Sequence, residues 1–114
     1  MTEDLAAFLA RHVDAFNAAV AGGDFAPLVA LFASDASLEF EGVPVGPFVG
    51  RHAIAAAYAA QPPTDTMTIV ETRVEPDGTV VERFSWSADA GRRSGEMRLV
   101  VAGDQIRRLV VSFA

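Results

Sequence analysis

A sharp corner between two predicted helices near the N-terminus constrains this chain more than any other feature. Over residues 16–32 an apolar helical pattern runs into Gly22-Gly23, and Asp24 then precedes a second, shorter apolar pattern. Glycine ends helices because it accepts left-handed backbone angles, and an aspartate side chain can cap the helix that follows. We therefore predict a first helix over about residues 3–20, capped by Thr2, and a sharp turn into a second helix. The predicted inner face of that second helix is Leu28, Leu31 and Phe32.

The length and composition of the chain predict one domain with a surplus of apolar surface. The chain has 114 residues, of which 51% are hydrophobic. A domain of this length buries roughly two thirds of its extended-chain surface, which is enough for one core. We expect a single domain over residues 1–114 and a cavity or a subunit interface that absorbs the surplus.

Charge and residue usage exclude several classes of function. The net charge is −6, which opposes binding to phosphate backbones, so we expect no nucleic acid partner. Because the sequence has no Cys and only two His, at positions 12 and 52, it predicts no metal site and no thiolate chemistry. No apolar stretch approaches the ~20 residues of a membrane span, and we expect a cytoplasmic protein with no membrane partner. All nine basic residues are Arg, which is typical of a bacterial gene rich in G and C.

The rest of the chain predicts one more helix followed by strands. Residues 51–60 form an alanine-rich helical pattern that stops before Pro62-Pro63. Two prolines and two glycines over residues 42–47 cannot continue a regular ladder, so we expect a mobile flap there. Period-two alternation predicts strands at about residues 36–42, 66–75, 79–88, 94–101 and 104–113. The predicted fold is α+β, with three N-terminal helices packed on a curved antiparallel sheet that forms a cone open at one end.

This order of elements resembles the nuclear-transport-factor-2-like (NTF2-like) superfamily, which includes the ketosteroid isomerases and the SnoaL-like polyketide cyclases. The resemblance rests on the corner at residues 16–32, the strand pattern of residues 37–41 and the glycine of Gly50-Arg51 that opens the third helix. It covers most of the chain and implies a single SnoaL-like domain around an apolar pocket. Its implied chemistry is proton transfer next to a carbonyl group, by general acid and base catalysis without a cofactor.

The resemblance also implies which residues would carry that chemistry. In ketosteroid isomerases a carboxylate on the first strand moves the proton, while a tyrosine and a protonated aspartic acid hold the oxyanion. Phe40 falls at the base position, and a one-residue bulge would bring Glu41 there instead. The tyrosine position falls at Phe16 or near His12, and the oxyanion acid maps onto Glu96. In an enzyme of this kind Glu41 or His12 would take the proton, and Glu96 or Tyr58, the only phenol of the chain, would donate to the developing enolate.

Strand parity leaves two alternatives open for the carboxylates. If Leu38 and Phe40 point into the cone, then Glu39 and Glu41 point outward, because alternate strand residues face opposite sides. If the glutamates point inward, two like charges would raise one pKa and supply an acid and a base together. Alternation likewise favours Met97, Leu99 and Val101 as the inner face, which sends Glu96 to solvent.

Apolar and aromatic residues supply the predicted binding wall. The residues expected to contact a ligand are Phe16, Phe40, Phe84, Trp86, Leu109, Val111 and Phe113. A flat apolar wall of this kind suits a small apolar or polycyclic molecule. Three functions remain open at this point: an isomerase-like or cyclase-like enzyme, a non-catalytic binding module, and a homodimer built through an exposed sheet face.

Overall fold

The computed structural model describes residues 4–113. It contains three α-helices, α1 (Leu5–Gly22), α2 (Ala26–Val29) and α3 (Arg51–Ala60). Six strands complete this part of the chain: β1 (Phe32–Glu41), β2 (Phe48–Val49), β3 (Met67–Val74), β4 (Val80–Trp86), β5 (Gly95–Ala102) and β6 (Gln105–Phe113). A short 3₁₀ turn, Ser87–Asp89, follows β4. The predicted spans of α3 and of the last four strands are therefore confirmed to within about two residues.

Helix α1 begins and ends with side-chain and glycine caps. The carboxylate of Asp4 accepts a hydrogen bond from the Ala7 amide at 2.8 Å, which satisfies one free donor of the first turn. At the other end Gly23 adopts a left-handed conformation with φ of 79°, and its amide donates to the Ala19 carbonyl. The predicted capping residue Thr2 lies outside the described residues. The glycine stop is confirmed.

The sheet is mixed, which corrects the expectation of an antiparallel sheet. Its strand order is β2-β1-β6-β5-β4-β3, and β1 runs parallel to β6 while the other neighbours are antiparallel. Strand β1 pairs antiparallel with the short β2 on one side, and β6, which comes much later in the sequence, lies parallel to β1 on its other side. Register shifts in β1, β3 and β5 bend the sheet.

The second helix is shorter than predicted and the first strand is longer. Helix α2 stops at Val29, and Phe32 already pairs with Ile106. The Leu31 carbonyl accepts a hydrogen bond from the Ile106 amide at 2.8 Å. Phe32 is therefore buried as the first residue of β1, and Leu31 is buried in the turn before it, so neither belongs to a helix face. Tertiary pairing with β6 overrides the local helical pattern here.

Two polar side chains fasten the helices to the sheet. The Asn17 amide of α1 donates to the Met67 carbonyl and accepts from the Met67 amide, both at 2.9 Å, in the manner of a peptide group. The Arg51 guanidinium at the start of α3 donates twice to the Phe32 carbonyl, at 3.1 and 2.7 Å. These contacts hold α1 and α3 over one face of the sheet. None of the helices in residues 4–113 is long and apolar enough to cross a membrane.

Candidate functional site

A large cavity, called the main cavity below, lies between α1, α3 and the inner face of the sheet. Its volume is about 1020 Å³, at the upper end of the usual range for small-molecule sites. The seven residues that the sequence suggested as a binding wall all line it: Phe16, Phe40, Phe84, Trp86, Leu109, Val111 and Phe113. These seven residues come from three strands, β1, β4 and β6, and from helix α1, so the shape of the wall depends on the whole fold.

Aromatic rings form two groups in the wall of the main cavity. Trp86 contacts Phe84 edge to face with ring centroids 5.0 Å apart, and its centroid lies 6.1 Å from that of Phe16. Phe40 and Phe113 stack with centroids 6.5 Å apart. The ring of Phe113 is about half exposed, which places it where the cavity meets solvent. Rings held against each other in this way present flat, apolar surfaces to a ligand.

Helix α3 leaves space for the main cavity because it faces the cavity with alanines. Ala53, Ala56, Ala57 and Ala60 all line the cavity, spaced at three and four residues along one face of the helix. A helix in this position with leucine or phenylalanine on the same face would fill the space. The alanine-rich composition of α3 is thus a sequence signal for a cavity.

His12 is the most unusual polar group of the main cavity. It lies in the apolar stripe of α1, one turn before Phe16, and only 1% of its surface is exposed. Neither Nδ1 nor Nε2 finds a hydrogen-bond partner anywhere in residues 4–113. Burial lowers the pKa of His12 from 6.5 to about 4, because the charged imidazolium loses its hydration. At neutral pH the cavity therefore holds an uncharged imidazole with one free N–H donor and one free nitrogen acceptor.

Tyr58 is buried in the same cavity. It lies on α3, and its ring stacks on Phe25 with centroids 5.3 Å apart. Burial raises the pKa of the Tyr58 phenol, so the phenol stays protonated. Within residues 4–113 the Tyr58 hydroxyl makes no hydrogen bond. Tyr58 and His12 are thus two neutral hydrogen-bonding groups in a cavity whose lining is mostly apolar.

The structure does not bring Glu41 and Glu96 to the main cavity, which corrects two of the four expected catalytic positions. Leu38 and Phe40 face inward, so their odd-numbered neighbours on β1 face solvent. Glu41 is exposed, and Glu39 forms an ion pair with Arg108 at 2.6 Å on the outer face. The alternative in which Glu39 and Glu41 both point into the cone is therefore wrong.

Glu96 belongs to a ladder of ion pairs on the outer face of the sheet. Its carboxylate oxygens lie 3.7 Å from Arg83 and 3.5 Å from Arg98. Met97 and Leu99 occupy the inner face of β5, as alternation predicted. Arg83 also contacts Glu71 at 3.2 Å, so four charged groups run across three strands. The predicted role of Glu96 as an oxyanion acid in the cavity is therefore not supported by its position.

Two carboxylates that line the main cavity were not singled out in the sequence. Asp65 accepts hydrogen bonds from the Thr66 and Ala88 amides, each at 2.9 Å, which ties the segment after α3 to the turn after β4. Asp89 accepts a hydrogen bond from the Ser94 hydroxyl. Both are in loops, where neither helical nor strand periodicity indicates which way a side chain points. The only sequence feature that marked this region was the Pro62-Pro63 pair, which shows that a loop precedes Asp65.

The described residues hold no cluster of metal ligands. Among residues 4–113, no three His, Asp or Glu side chains come together in a way that could hold a metal ion. His52, the second histidine, is exposed on α3 and does not line the main cavity.

Comparisons with solved structures show the fold. An NTF2-like protein of unknown function from Cytophaga hutchinsonii has a TM-score of 0.73 at 11% identity, covering 100% of this chain and 93% of that one. A protein from Kribbella flavida, provisionally described as a ketosteroid isomerase, has a TM-score of 0.66 at 18% identity, covering 95% and 76%. A provisionally described polyketide cyclase from Sinorhizobium meliloti has a TM-score of 0.59 at 23% identity, covering 88% and 92%.

Family-level comparison agrees with the structural one. A comparison with curated proteins found no match. The family model of the SnoaL-like domain matches residues 13–109, which include most of α1, α2, α3 and most of the sheet. The matched part contains the core of the main cavity, with Phe16, Trp86 and Leu109 inside it. Sequence and structure therefore agree that this chain belongs to the SnoaL-like domain family, within the NTF2-like fold.

Proposed function

We propose that this chain binds a small, largely apolar molecule with rings in the main cavity, and that His12 contacts an oxygen of that molecule. The observation that carries the proposal is the buried His12 side chain with both ring nitrogens unpartnered in an apolar cavity of about 1020 Å³. A carbonyl or hydroxyl oxygen is the group that a neutral imidazole N–H would hold.

The energetics favour a ligand with a polar group at one end. Leaving a buried donor unpaired costs about 1–3 kcal/mol, which a ligand oxygen within reach of His12 would recover. The aromatic and aliphatic wall adds about 25 cal/mol for each Å² of apolar surface that leaves water. A molecule that is apolar except for one oxygen would match both features.

The position of the carboxylates favours binding over a ketosteroid isomerase mechanism based on the predicted residues. Glu41 and Glu96 do not line the main cavity, and Glu96 instead lies 3.7 Å from Arg83 on the outer face of the sheet. His12, with a pKa of about 4, is a weak base at neutral pH, so its supported role is to donate a hydrogen bond.

A pair of matched ligands tests the proposal. 2-Acetylnaphthalene and 2-ethylnaphthalene have nearly the same shape and differ in the carbonyl oxygen. Trp86 is the only tryptophan, so its indole N–H gives a single nuclear magnetic resonance signal that reports on the cavity wall. We expect both compounds to shift that signal and His12→Phe to weaken the ketone about 10-fold. The hydrocarbon should change less than about twofold.

Two outcomes would count against this function. If neither compound shifts the Trp86 signal at its solubility limit, the cavity is not a site for small ring systems. If His12→Phe weakens both compounds equally, His12 acts only in packing. Titration with the steroid equilenin extends the test to a four-ring ligand.

A second candidate is proton transfer next to a carbonyl; the Kribbella and Sinorhizobium proteins are provisionally described as a ketosteroid isomerase and a polyketide cyclase. It is favoured by Asp65 and Asp89, two carboxylates that line the same cavity as the donors His12 and Tyr58. A carboxylate can take the proton while a neutral donor stabilises the oxygen on which charge develops.

Hydrogen-deuterium exchange at the α-carbon of a bound ketone in heavy water measures this activity. If an aspartate is the base, Asp65→Asn or Asp89→Asn should slow the exchange by roughly 10²-fold while the affinity for the ketone stays within a few-fold. Exchange no faster than in buffer would leave the binding function and remove the enzymatic one.

A further inference from the structure

A second, smaller cleft lies beside the main cavity, between the first half of α1 and strands β3 and β4. Its volume is about 410 Å³, and it shares only Met67 with the lining of the main cavity. We call it the Glu82 cleft. Leu9, Val13 and Ile69 supply apolar walls from the helix and from the sheet.

Glu82 is a buried carboxyl group that lines this cleft. It lies on the inner face of β4, in the row of Val80, Phe84 and Trp86, and is 2% exposed. Its Oε1 atom has no hydrogen-bond partner in residues 4–113. Glutamate is almost never fully buried unless it is paired, so an unpaired one lining a cleft needs an explanation.

The surroundings of Glu82 indicate the charge of the missing partner. Among the described residues, the titratable groups that line the cleft are Glu82 from β4 and Asp14 from α1, and both are acidic. The facing residues of β3, Thr68 and Thr72, carry hydroxyls that do not titrate. No side chain lining this part of the structure is cationic, and the chain as a whole carries a net charge of −6. A cation would therefore be attracted both locally and at a distance.

The shape of the cleft indicates the rest of the ligand. A volume of about 410 Å³ suits a small organic molecule, and walls of leucine, valine and isoleucine favour an apolar body. We propose that the Glu82 cleft is a binding site for a small protonated amine with an apolar tail, in which the ammonium group contacts Glu82 and the tail contacts Leu9, Val13 and Ile69. The site is separate from the proposed function of the main cavity.

The acid strength of Glu82 is consistent with this assignment. Burial raises the pKa of Glu82 from 4.5 to about 7, because the cleft provides no charge to offset the lost hydration. An ammonium group bound beside the carboxylate would stabilise the charged form and lower this pKa. Amine binding should accordingly be stronger at pH 8 than at pH 5.5, where the carboxyl is largely protonated.

The test compares two probes that differ in charge. 2-Phenylethylamine is protonated at pH 8, and 2-phenylethanol is its neutral counterpart of similar size. We expect the amine to shift the backbone amide signals of Val13, Ile69 and Glu82 in nuclear magnetic resonance titrations, and the alcohol to bind at least 10-fold more weakly. Glu82→Gln should reduce amine affinity at least 10-fold, while Glu39→Gln, a control on the outer face of the sheet, should leave it unchanged.

A measurement on the unaltered protein keeps the test independent of how well the variant folds. The pKa of Glu82, followed by the ¹³C signal of its side-chain carboxyl, should fall when 2-phenylethylamine is added and stay constant when 2-phenylethanol is added. The proposal is overturned if this pKa stays unchanged when the amine is added to about 50 mM, which is roughly the highest concentration practical in such a titration. It is also overturned if the amine shifts only signals of the main cavity, or if it binds Glu82→Gln as tightly as the unaltered chain.

Discussion

Two buried ionisable residues, His12 and Glu82, act in opposite directions on stability as the pH changes. The pKa of His12 is 6.5 in an unfolded chain and about 4 in the fold, so stability is lost as the pH falls from 6.5 to 4. The pKa of Glu82 is 4.5 when unfolded and about 7 in the fold, so stability is lost as the pH rises from 4.5 to 7. Between about pH 4.5 and 6.5 the two contributions largely cancel.

Single variants should separate these two contributions. In Glu82→Gln the opposing Glu82 contribution is gone, and the His12 contribution should lower the free energy of unfolding by on the order of 3 kcal/mol between pH 6.5 and 4. In His12→Phe the same quantity should fall by a similar amount as the pH rises from 4.5 to 7. Urea unfolding at a series of pH values measures both slopes. Parallel pH profiles for the two variants would show that burial does not shift these groups in opposite directions.

Gly95 at the start of β5 is required by the packing of Phe84. A Cβ atom built on Gly95 would lie 2.7 Å from the Phe84 ring and in contact with the Ser112 carbonyl oxygen. Gly95→Ala should therefore lower the free energy of unfolding by roughly 1–3 kcal/mol, because the buried ring and the backbone have little room to move. Gly22→Ala is the matched control, since nothing lies within 4 Å of its Cβ position, and it should be neutral or stabilising. Equal effects of the two substitutions in denaturant unfolding would contradict this account.

At the scale of elements, sequence periodicity predicted individual helices and strands but did not predict which strands pair. The alanine-rich pattern of α3 and the alternation of β4 each fix one element by itself, and both were predicted with nearly correct bounds. The parallel contact of β1 with β6 joins residues about seventy positions apart, and no local pattern encodes it. On β4, Glu82 and Phe84 are two residues apart and therefore face the same side of the sheet. Its burial depends on α1 lying above it, which the strand sequence does not indicate.

The alanine face of α3 gives a prediction for the main cavity. Ala57→Leu should reduce the affinity for 2-acetylnaphthalene at least 10-fold, because the added atoms occupy space that the ligand needs. Its thermal midpoint should stay the same or rise, since leucine fills space and suits a helix. Ala59→Leu, on the exposed side of the same helix, is the control and should leave affinity unchanged. A similar loss in both variants would show that the helix, and not the cavity volume, is responsible.

The contact between α1 and β3 depends on the Asn17 side chain. Asn17→Leu removes both hydrogen bonds to Met67 and leaves a backbone N–H and a carbonyl unpaired in a half-buried place. We expect a loss of about 2 kcal/mol in the free energy of unfolding. Asn17→Asp retains the acceptor for the Met67 amide and loses the donor, so its cost should be smaller. An Asn17→Leu protein as stable as the original would show that apolar packing alone holds α1 in place.

At the scale of the whole molecule, the aromatic wall was predictable and the chemistry inside it was not. Alternation and the family resemblance together suggested seven wall residues from four different elements, and all seven line the cavity. Which polar side chains line the cavity depends on which face of β1 points inward and on where two loops lie. The sequence does not show either, so Glu41 was expected as the base and Asp65 was not considered. A homodimer stays a prediction, and sedimentation would measure it.

The place of β6 has a consequence for how the chain is made. This strand is the last of the six along the sequence, yet it lies between β1 and β5 and is paired on both sides. During synthesis β1 and β5 each lack one neighbour until β6 has left the ribosome, and the β2-β1 pair is not yet joined to the β5-β4-β3 group. We expect the nascent chain to gain resistance to proteases only after residue 113 has left the exit tunnel, and a chaperone that shields unpaired strands should bind it until then.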